Sequence, residues 1–137
     1  MRTATQLDAF GKPKRIRYRP AEHDEQVALF AWLRWQYPEA WDHAYAIPNG
    51  GHRHAAVARR MKDEGVRRGV PDLCIALPRG DWHGLYVELK ATGTTACVVS
   101  REQREWIGRL REAGYAAHVA HGLDEARRVI EGYLSDR

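Results

Sequence analysis

Between Gly69 and Lys90 the chain carries two short apolar runs joined by a turn, and each run holds charge where a buried strand would ordinarily hold none. Gly69-Val70-Pro71-Asp72 opens the run Leu73-Cys74-Ile75-Ala76-Leu77, and Pro78 to Gly84 forms the turn into a second run, Leu85 to Lys90. Apolar runs of this length bounded by Gly and Pro read as buried strands, and the connection between them reads as a hairpin. Side chains alternate along a strand, so Glu88 and Lys90 project from one face while Val87 and Leu89 project from the other. Antiparallel pairing sets the start of the first strand beside the end of the second, which brings Asp72 to Glu88 and Lys90. The fold must therefore be one whose sheet tolerates two carboxylates and an amine gathered at one end.

Burying three such charges costs several kcal/mol unless something pairs them, and a hard cation held by the carboxylates would do so. Oxygen ligands suit Mg²⁺ or Mn²⁺, which keep several waters and accept phosphate oxygens. In such a site the lysine positions or helps deprotonate a water, and the cation stabilises the charge that develops on an attacked phosphate. A bare Glu-x-Lys is also an ordinary edge-strand charge pair. What favours chemistry is its combination with Pro-Asp, with an inward Glu22 and with an inward Gln103.

The rest of the chain supplies a frame for that hairpin. Glu22 to Tyr37 has helical character and Pro38 ends it. At roughly 100° per residue Glu22, Gln26, Leu29 and Leu33 share one stripe, while Glu25 lies about 60° from Glu22 and is the poorer inward candidate. Glu22 also suits the positive end of the helix dipole, which requires no catalysis. Ile47-Pro48-Asn49-Gly50-Gly51 is a loop that permits close backbone approach, residues 54–64 are helical in propensity, and Gly65 stands at their C-terminus. Ser100 and Gln103 have capping-box spacing at the start of a helix that Gly114 ends. Gln103, Ile107 and Leu110 fall on one face of it. Tyr115 to Ala120 reads as a further strand and Leu123 to Tyr133 as a closing helix. The order is α, α, β, β, α, β, α, with no internal repeat.

A chain of 137 residues has room for one domain. Its 22 basic and 18 acidic side chains give a net charge of +4, which suggests a polyanionic partner. Residues 1–19 hold six of the bases (Arg2, Lys12, Lys14, Arg15, Arg17, Arg19) against Asp8, so the other 118 residues carry −1. Residues 1–20 read as a basic arm able to track phosphates, and residues 21–137 as a single folded domain. No apolar run approaches the ~18 residues of a spanning helix and the N-terminus lacks a secretory signal, which points to a soluble, cytoplasmic protein with no membrane partner. Cys74 and Cys97 show no metal or disulfide spacing.

In order, Glu22-x-x-x-Gln26, Pro48-Asn49-Gly50-Gly51, Gly65-Val66, Gly69-Val70-Pro71-Asp72-Leu73, Glu88-Leu89-Lys90, and Gln103 two residues before Glu105-Trp106 form a series. Pro71-Asp72 with Glu88-Leu89-Lys90 resembles the PD-(D/E)xK nuclease motif, and the whole series resembles its virus-type replication-repair nuclease (VRR-NUC) branch, over residues 22–131. The resemblance implies an α/β restriction-endonuclease-like core of αβββαβ type, a mixed central sheet flanked by helices, in which Trp41 to Ile47 would supply the strand missing from the count above. It implies Mg²⁺- or Mn²⁺-dependent endonucleolytic hydrolysis of DNA. By position, Asp72, Glu88 and the Leu89 carbonyl would be metal ligands, Lys90 would serve the nucleophilic water, Glu22 would complete the acidic site and Gln103 would support it. The stand-alone phage and bacterial members that a single-domain chain resembles imply branched DNA such as the Holliday junction as substrate, cut by a homodimer. Symmetric incision of two strands requires two sites related by a two-fold axis. A non-catalytic DNA-binding module with the same fold, or a restriction-type duplex or flap nuclease, are the competing readings.

Candidate DNA contacts lie outside the charged hairpin. They are Asn49, Gly50 and Arg53 in and after the glycine loop, and Arg59, Lys62, Arg67 and Arg68 on the ridge before Asp72. Arg60 belongs to the same ridge. His23, His52 and His54 are expected to be exposed polar residues. The five tryptophans are expected in the core or a dimer interface, with Trp82 able to stack on a displaced base.

Overall fold

A computed structural model describes residues 22–48, 54–92 and 98–137. The proposed arm, Asn49, Gly50, His52, Arg53 and Cys97 lie outside the described residues. Among these residues five helices and four strands follow in the order α1 Glu22–Gln36, α2 Pro38–Asp42, β1 Ala44–Ala46, α3 Ala55–Asp63, β2 Leu73–Ile75, β3 Leu85–Lys90, α4 Arg101–Glu112, β4 Ala116–His121 and α5 Leu123–Ser135. The strands form one mixed sheet in the order β1-β2-β3-β4, antiparallel up to β3 and parallel between β3 and β4.

β1 is the strand expected within Trp41 to Ile47, and it pairs with β2 through Ala44↔Ile75 and Ala46↔Leu73. The hairpin forms with Leu73 opposite Val87. The crossover from β3 to β4 runs through α4, as parallel pairing demands. Ser100 opens α4 with a full capping box: its hydroxyl accepts from the Gln103 N–H, and its own N–H donates to Gln103 Oε1 at 2.9 Å.

The sheet is covered on both faces, which explains why β3 is apolar on alternate positions and still buried throughout its centre. Leu29 and Leu33 of α1, Ala126, Ile130 and Tyr133 of α5, and Val87, Leu89 and Leu73 of the sheet form the main core. Ile107 and Leu110 of α4 pack on Ala117 on the other side, joined by Tyr86 and Trp106. Cys74 is a buried free thiol in β2. α3 is different: it buries no residue, and Arg59, Arg60 and Lys62 are exposed on it, with Arg60 paired to Glu64 at 3.1 Å.

Two sequence expectations need correction. On α1 it is Glu25 that is buried, at 7% exposure, whereas Glu22 is exposed. The helical wheel gives each residue an angle but not the neighbours at its own turn. Glu25 meets Thr92, whose hydroxyl donates to Oε1 at 3.1 Å, and the backbone of Gly122 at the start of α5. Glu22 occupies the first turn and opens to solvent. The tryptophans divide: Trp32, Trp41 and Trp106 are half-buried against the core, whereas Trp35 is 86% exposed and Trp82 is exposed. Trp82 sits in the β2–β3 turn, at the opposite end of the hairpin from Asp72, so it is not beside the charged cluster.

Candidate active site

The charged end of the hairpin assembles as the register requires. Leu73 faces Val87, so the next step outward sets Asp72 beside Glu88, and the Leu89 N–H donates to Asp72 Oδ2 at 2.8 Å. Glu88 Oε1 accepts from Gln103 Nε2 at 2.7 Å and lies 3.5 Å from Lys90 Nζ. Gln103 is held at both ends of its amide, because its Oε1 is engaged by the capping box while its Nε2 reaches the sheet. A helix cap thus aims a side chain at a strand carboxylate.

A cavity of about 300 Å³ opens at this point, lined by Glu22, Arg68, Gly69, Asp72, Glu88, Lys90, Val98, Ser100 and Gln103. The structure therefore brings together all five side chains proposed as catalytic from the sequence, with Glu22 contributing from the rim. Of the proposed DNA contacts it brings Arg68 into the cavity wall, leaves Arg59 and Lys62 on exposed α3, and places Arg67 against Trp106. Sequence reasoning did not place His121 beside Lys90. The parallel register aligns Lys90 with His121, so both project from the same face of the sheet, and only knowledge of strand order could have revealed it.

Electrostatics single out Glu88. It is 4% exposed, and burial pushes its carboxyl up to about 8. The neighbouring Asp72 charge acts in the same direction, and Lys90 only partly opposes it. Burial raises Asp72 from its ordinary value, against the Leu89 N–H that favours its charged form. Among the described residues Glu88 Oε2 is buried with no hydrogen-bond partner, a costly state for a carboxylate oxygen.

A divalent cation fits this donor set. Among the described residues no group of three or more His, Cys, Asp and Glu side chains is close enough to hold an ion alone. Mg²⁺ asks for less, one or two carboxylates completed by waters and substrate phosphates. Asp72 and Glu88 provide two oxygen-bearing groups, one of them with an oxygen to spare, while Glu22 stands at the exposed rim.

Pro-Asp on one strand and Glu-x-Lys on the next, in a mixed four-stranded sheet with helices on both faces, define a nuclease-type α/β fold. The chain belongs to the VRR-NUC domain family, whose profile matches residues 14–124. A solved structure titled VRR_NUC domain protein is similar at 31% identity with a TM-score of 0.73, covering 85% of this chain and 90% of the other. No curated protein matches. Membership implies a nuclease-type, DNA-processing function, and nucleases of this family are of the PD-(D/E)xK type and generally depend on divalent metal. The family match begins at residue 14, so Lys14, Arg15, Arg17 and Arg19 fall inside it. Among the described residues no helix is long and apolar enough to cross a membrane.

Proposed function

We propose that the protein is a Mg²⁺- or Mn²⁺-dependent endonuclease that hydrolyses DNA phosphodiesters, with branched DNA such as the four-way junction as substrate and a homodimer as the working unit. The observation that carries this reading is the buried Glu88, its Oε2 unpartnered and its Oε1 shared by Gln103 and Lys90, beside Asp72 in an open cavity. Asp72, Glu88 and the Leu89 carbonyl would hold the ion. When bound, a divalent ion supplies Lewis-acid stabilisation of the charge that develops on the attacked phosphate.

The chain's own residues do the remaining work. Lys90 Nζ orients the attacking water and favours loss of its proton to bulk solvent at the open cavity as the P–O bond forms. Gln103 fixes the Glu88 rotamer and leaves Oε2 as the carboxylate oxygen still to be paired. Arg68 in the cavity wall neutralises a phosphate oxygen and Glu22 at the rim orders water. The leaving 3′-oxygen departs toward the open mouth, where solvent protonates it.

The test is a panel of immobile four-way junctions, flaps, nicked duplex and plasmid incubated with Mg²⁺ or Mn²⁺. Cleavage of the junction with symmetric cuts is expected. Cleavage confined to plasmid or duplex would favour a restriction-type nuclease, and binding without cleavage of any substrate would favour a non-catalytic module.

A further inference from the structure

One step along α4 from the cavity, two guanidiniums stand over the Trp106 ring, that of Arg67 at 4.9 Å from its centroid and that of Arg109 at 5.3 Å. Arg67 comes from the loop before β2 and is exposed, while the Arg109 side chain is 53% exposed. Trp106 follows Gln103 by three residues, so it lies about one turn, ~4.5 Å of helix rise, from the residue that contacts Glu88.

The arrangement is rigid for a reason visible in the backbone. Gly69 has φ +90°, and a Cβ there would lie 2.6 Å from the Glu102 carbonyl carbon. Only glycine lets the Arg67–Gly69 loop press against α4, which fixes Arg67 relative to Arg109 and turns the adjacent Arg68 into the cavity. Charge is in surplus here. Glu105 is shared by Arg101 at 2.9 Å and Arg109 at 3.7 Å, and Glu102 lies beside Arg68 and Arg101, so with Arg67 four guanidiniums stand against two carboxylates.

We propose that Arg67 and Arg109, preorganised on Trp106, form a second phosphate site that binds the DNA backbone on one side of the scissile phosphate and sets the direction in which the strand crosses the cavity. Stacked guanidiniums lose little side-chain freedom on binding phosphate oxygens, and a phosphate would compete with Glu105 for Arg109. The offset from the cavity suits this role, because successive phosphates of one strand advance about 3.4 Å along the duplex axis. A strand would reach both sites with phosphates one or two nucleotides apart.

The inference rests on the nuclease reading above, and the experiment separates the two. Binding of a fluorescein-labelled four-way junction is measured in Ca²⁺ over a salt series for wild type, the Arg67→Ala/Arg109→Ala double variant and the corresponding double Lys variant, followed by cleavage kinetics in Mg²⁺ and thermal melts. The alanine variant is expected to bind about ten-fold more weakly at roughly 0.1 M salt, with a salt slope lower by about 1 to 2. Its loss in cleavage should fall on KM more than on kcat, and its melting temperature should stay close to that of wild type. The lysine variant should recover most of the salt slope. Unchanged affinity and slope in the alanine variant would overturn the inference while leaving the nuclease reading intact. So would a fall in melting temperature and kcat at unchanged slope, the mark of a clamp that merely holds the loop. A wild-type protein that neither binds nor cuts DNA would overturn both.

Discussion

The two ends of the β2–β3 hairpin are built from the same strands and treat polar groups in opposite ways. At the turn end the buried Tyr133 hydroxyl donates to the Leu77 carbonyl at 2.6 Å. There Arg79 pairs with Glu39 at 3.3 Å and donates to the Pro78 carbonyl at 2.8 Å. At the other end, among the described residues, Glu88 Oε2 has no partner, and Glu25 Oε2, one turn along α1 from Glu22, is also buried without one. The turn end even has the larger cavity, about 410 Å³ against about 300 Å³, yet its lining of Pro78, Arg79, Gly80, Leu134 and Arg137 includes no Asp or Glu side chain. Matched polar groups hold a fold together. Unmatched ones cost about 1–3 kcal/mol each; Arg127 Nε on α5 is another, away from the cavity, so it is the pairing of an unmatched carboxylate with an open cavity that marks the charged end.

That contrast can be broken most sharply at Asp72 and Lys90. Asp72→Ala or Lys90→Ala is expected to lower Mg²⁺-dependent cleavage by about 10³-fold or more, with junction binding in Ca²⁺ within a few-fold of wild type. Retained cleavage would mean that the chemistry lies elsewhere.

The next effect concerns pH without metal. Glu88 titrates near 8 in the folded chain against an ordinary value of 4.5. Between those values the folded state keeps a proton that the unfolded chain has released, so stability should fall as pH rises through that window and level off above it. Asp72 shifts in the same direction. Thermal melts in EDTA from about pH 5 to 9 read this out directly, and added Mg²⁺ should restore stability most at the high end. A melting temperature that climbs toward the alkaline end would contradict the assignment.

The turn end should respond in the opposite sense. Tyr133→Phe leaves the Leu77 carbonyl buried without its donor and should cost about 1 kcal/mol of stability while cleavage stays at wild-type rates. Denaturant melts alongside a cleavage assay would show it. A loss of cleavage equal to that at the charged end would erase the distinction between the two. The smallest effect belongs to the N-terminal bases. Replacing Lys14, Arg15, Arg17 and Arg19 with Gln should weaken affinity and reduce the salt slope by up to about 0.9 for each phosphate that is no longer neutralised. An unchanged slope would show that these residues do not touch DNA.

Much of this architecture was legible in the residues. The hairpin and the Ser100–Gln103 cap follow from local rules, namely strand alternation, the punctuation by Gly and Pro, and capping-box spacing; these bring Asp72 to the Glu88–Lys90 end, while the contact of Gln103 with Glu88 also needs α4 to pack on the sheet. β1 was harder, since three residues flanked by loops carry almost no periodic signal and become a strand only by pairing with β2. Glu25 escaped because its burial depends on Thr92 and Gly122, distant in sequence. His121 and the Arg67–Trp106–Arg109 cluster escaped for the same reason: each is created by elements that meet only after the sheet order and the α4 crossover are set.

Stability and chemistry meet in one variant, Glu88→Gln, studied at a pH of about 8.5, just above the value at which Glu88 titrates. The amide keeps the shape of the side chain and can still accept from Gln103 and Lys90, but it removes the buried charge. Cleavage should fall by at least about 10²-fold while the metal-free protein melts roughly 3–6 °C higher than wild type, equivalent to about 1–2 kcal/mol in a chain of this size. A variant that cuts DNA at the wild-type rate, or one that melts lower, would contradict the claim that Glu88 is held at a cost to the fold in order to bind metal and cleave DNA.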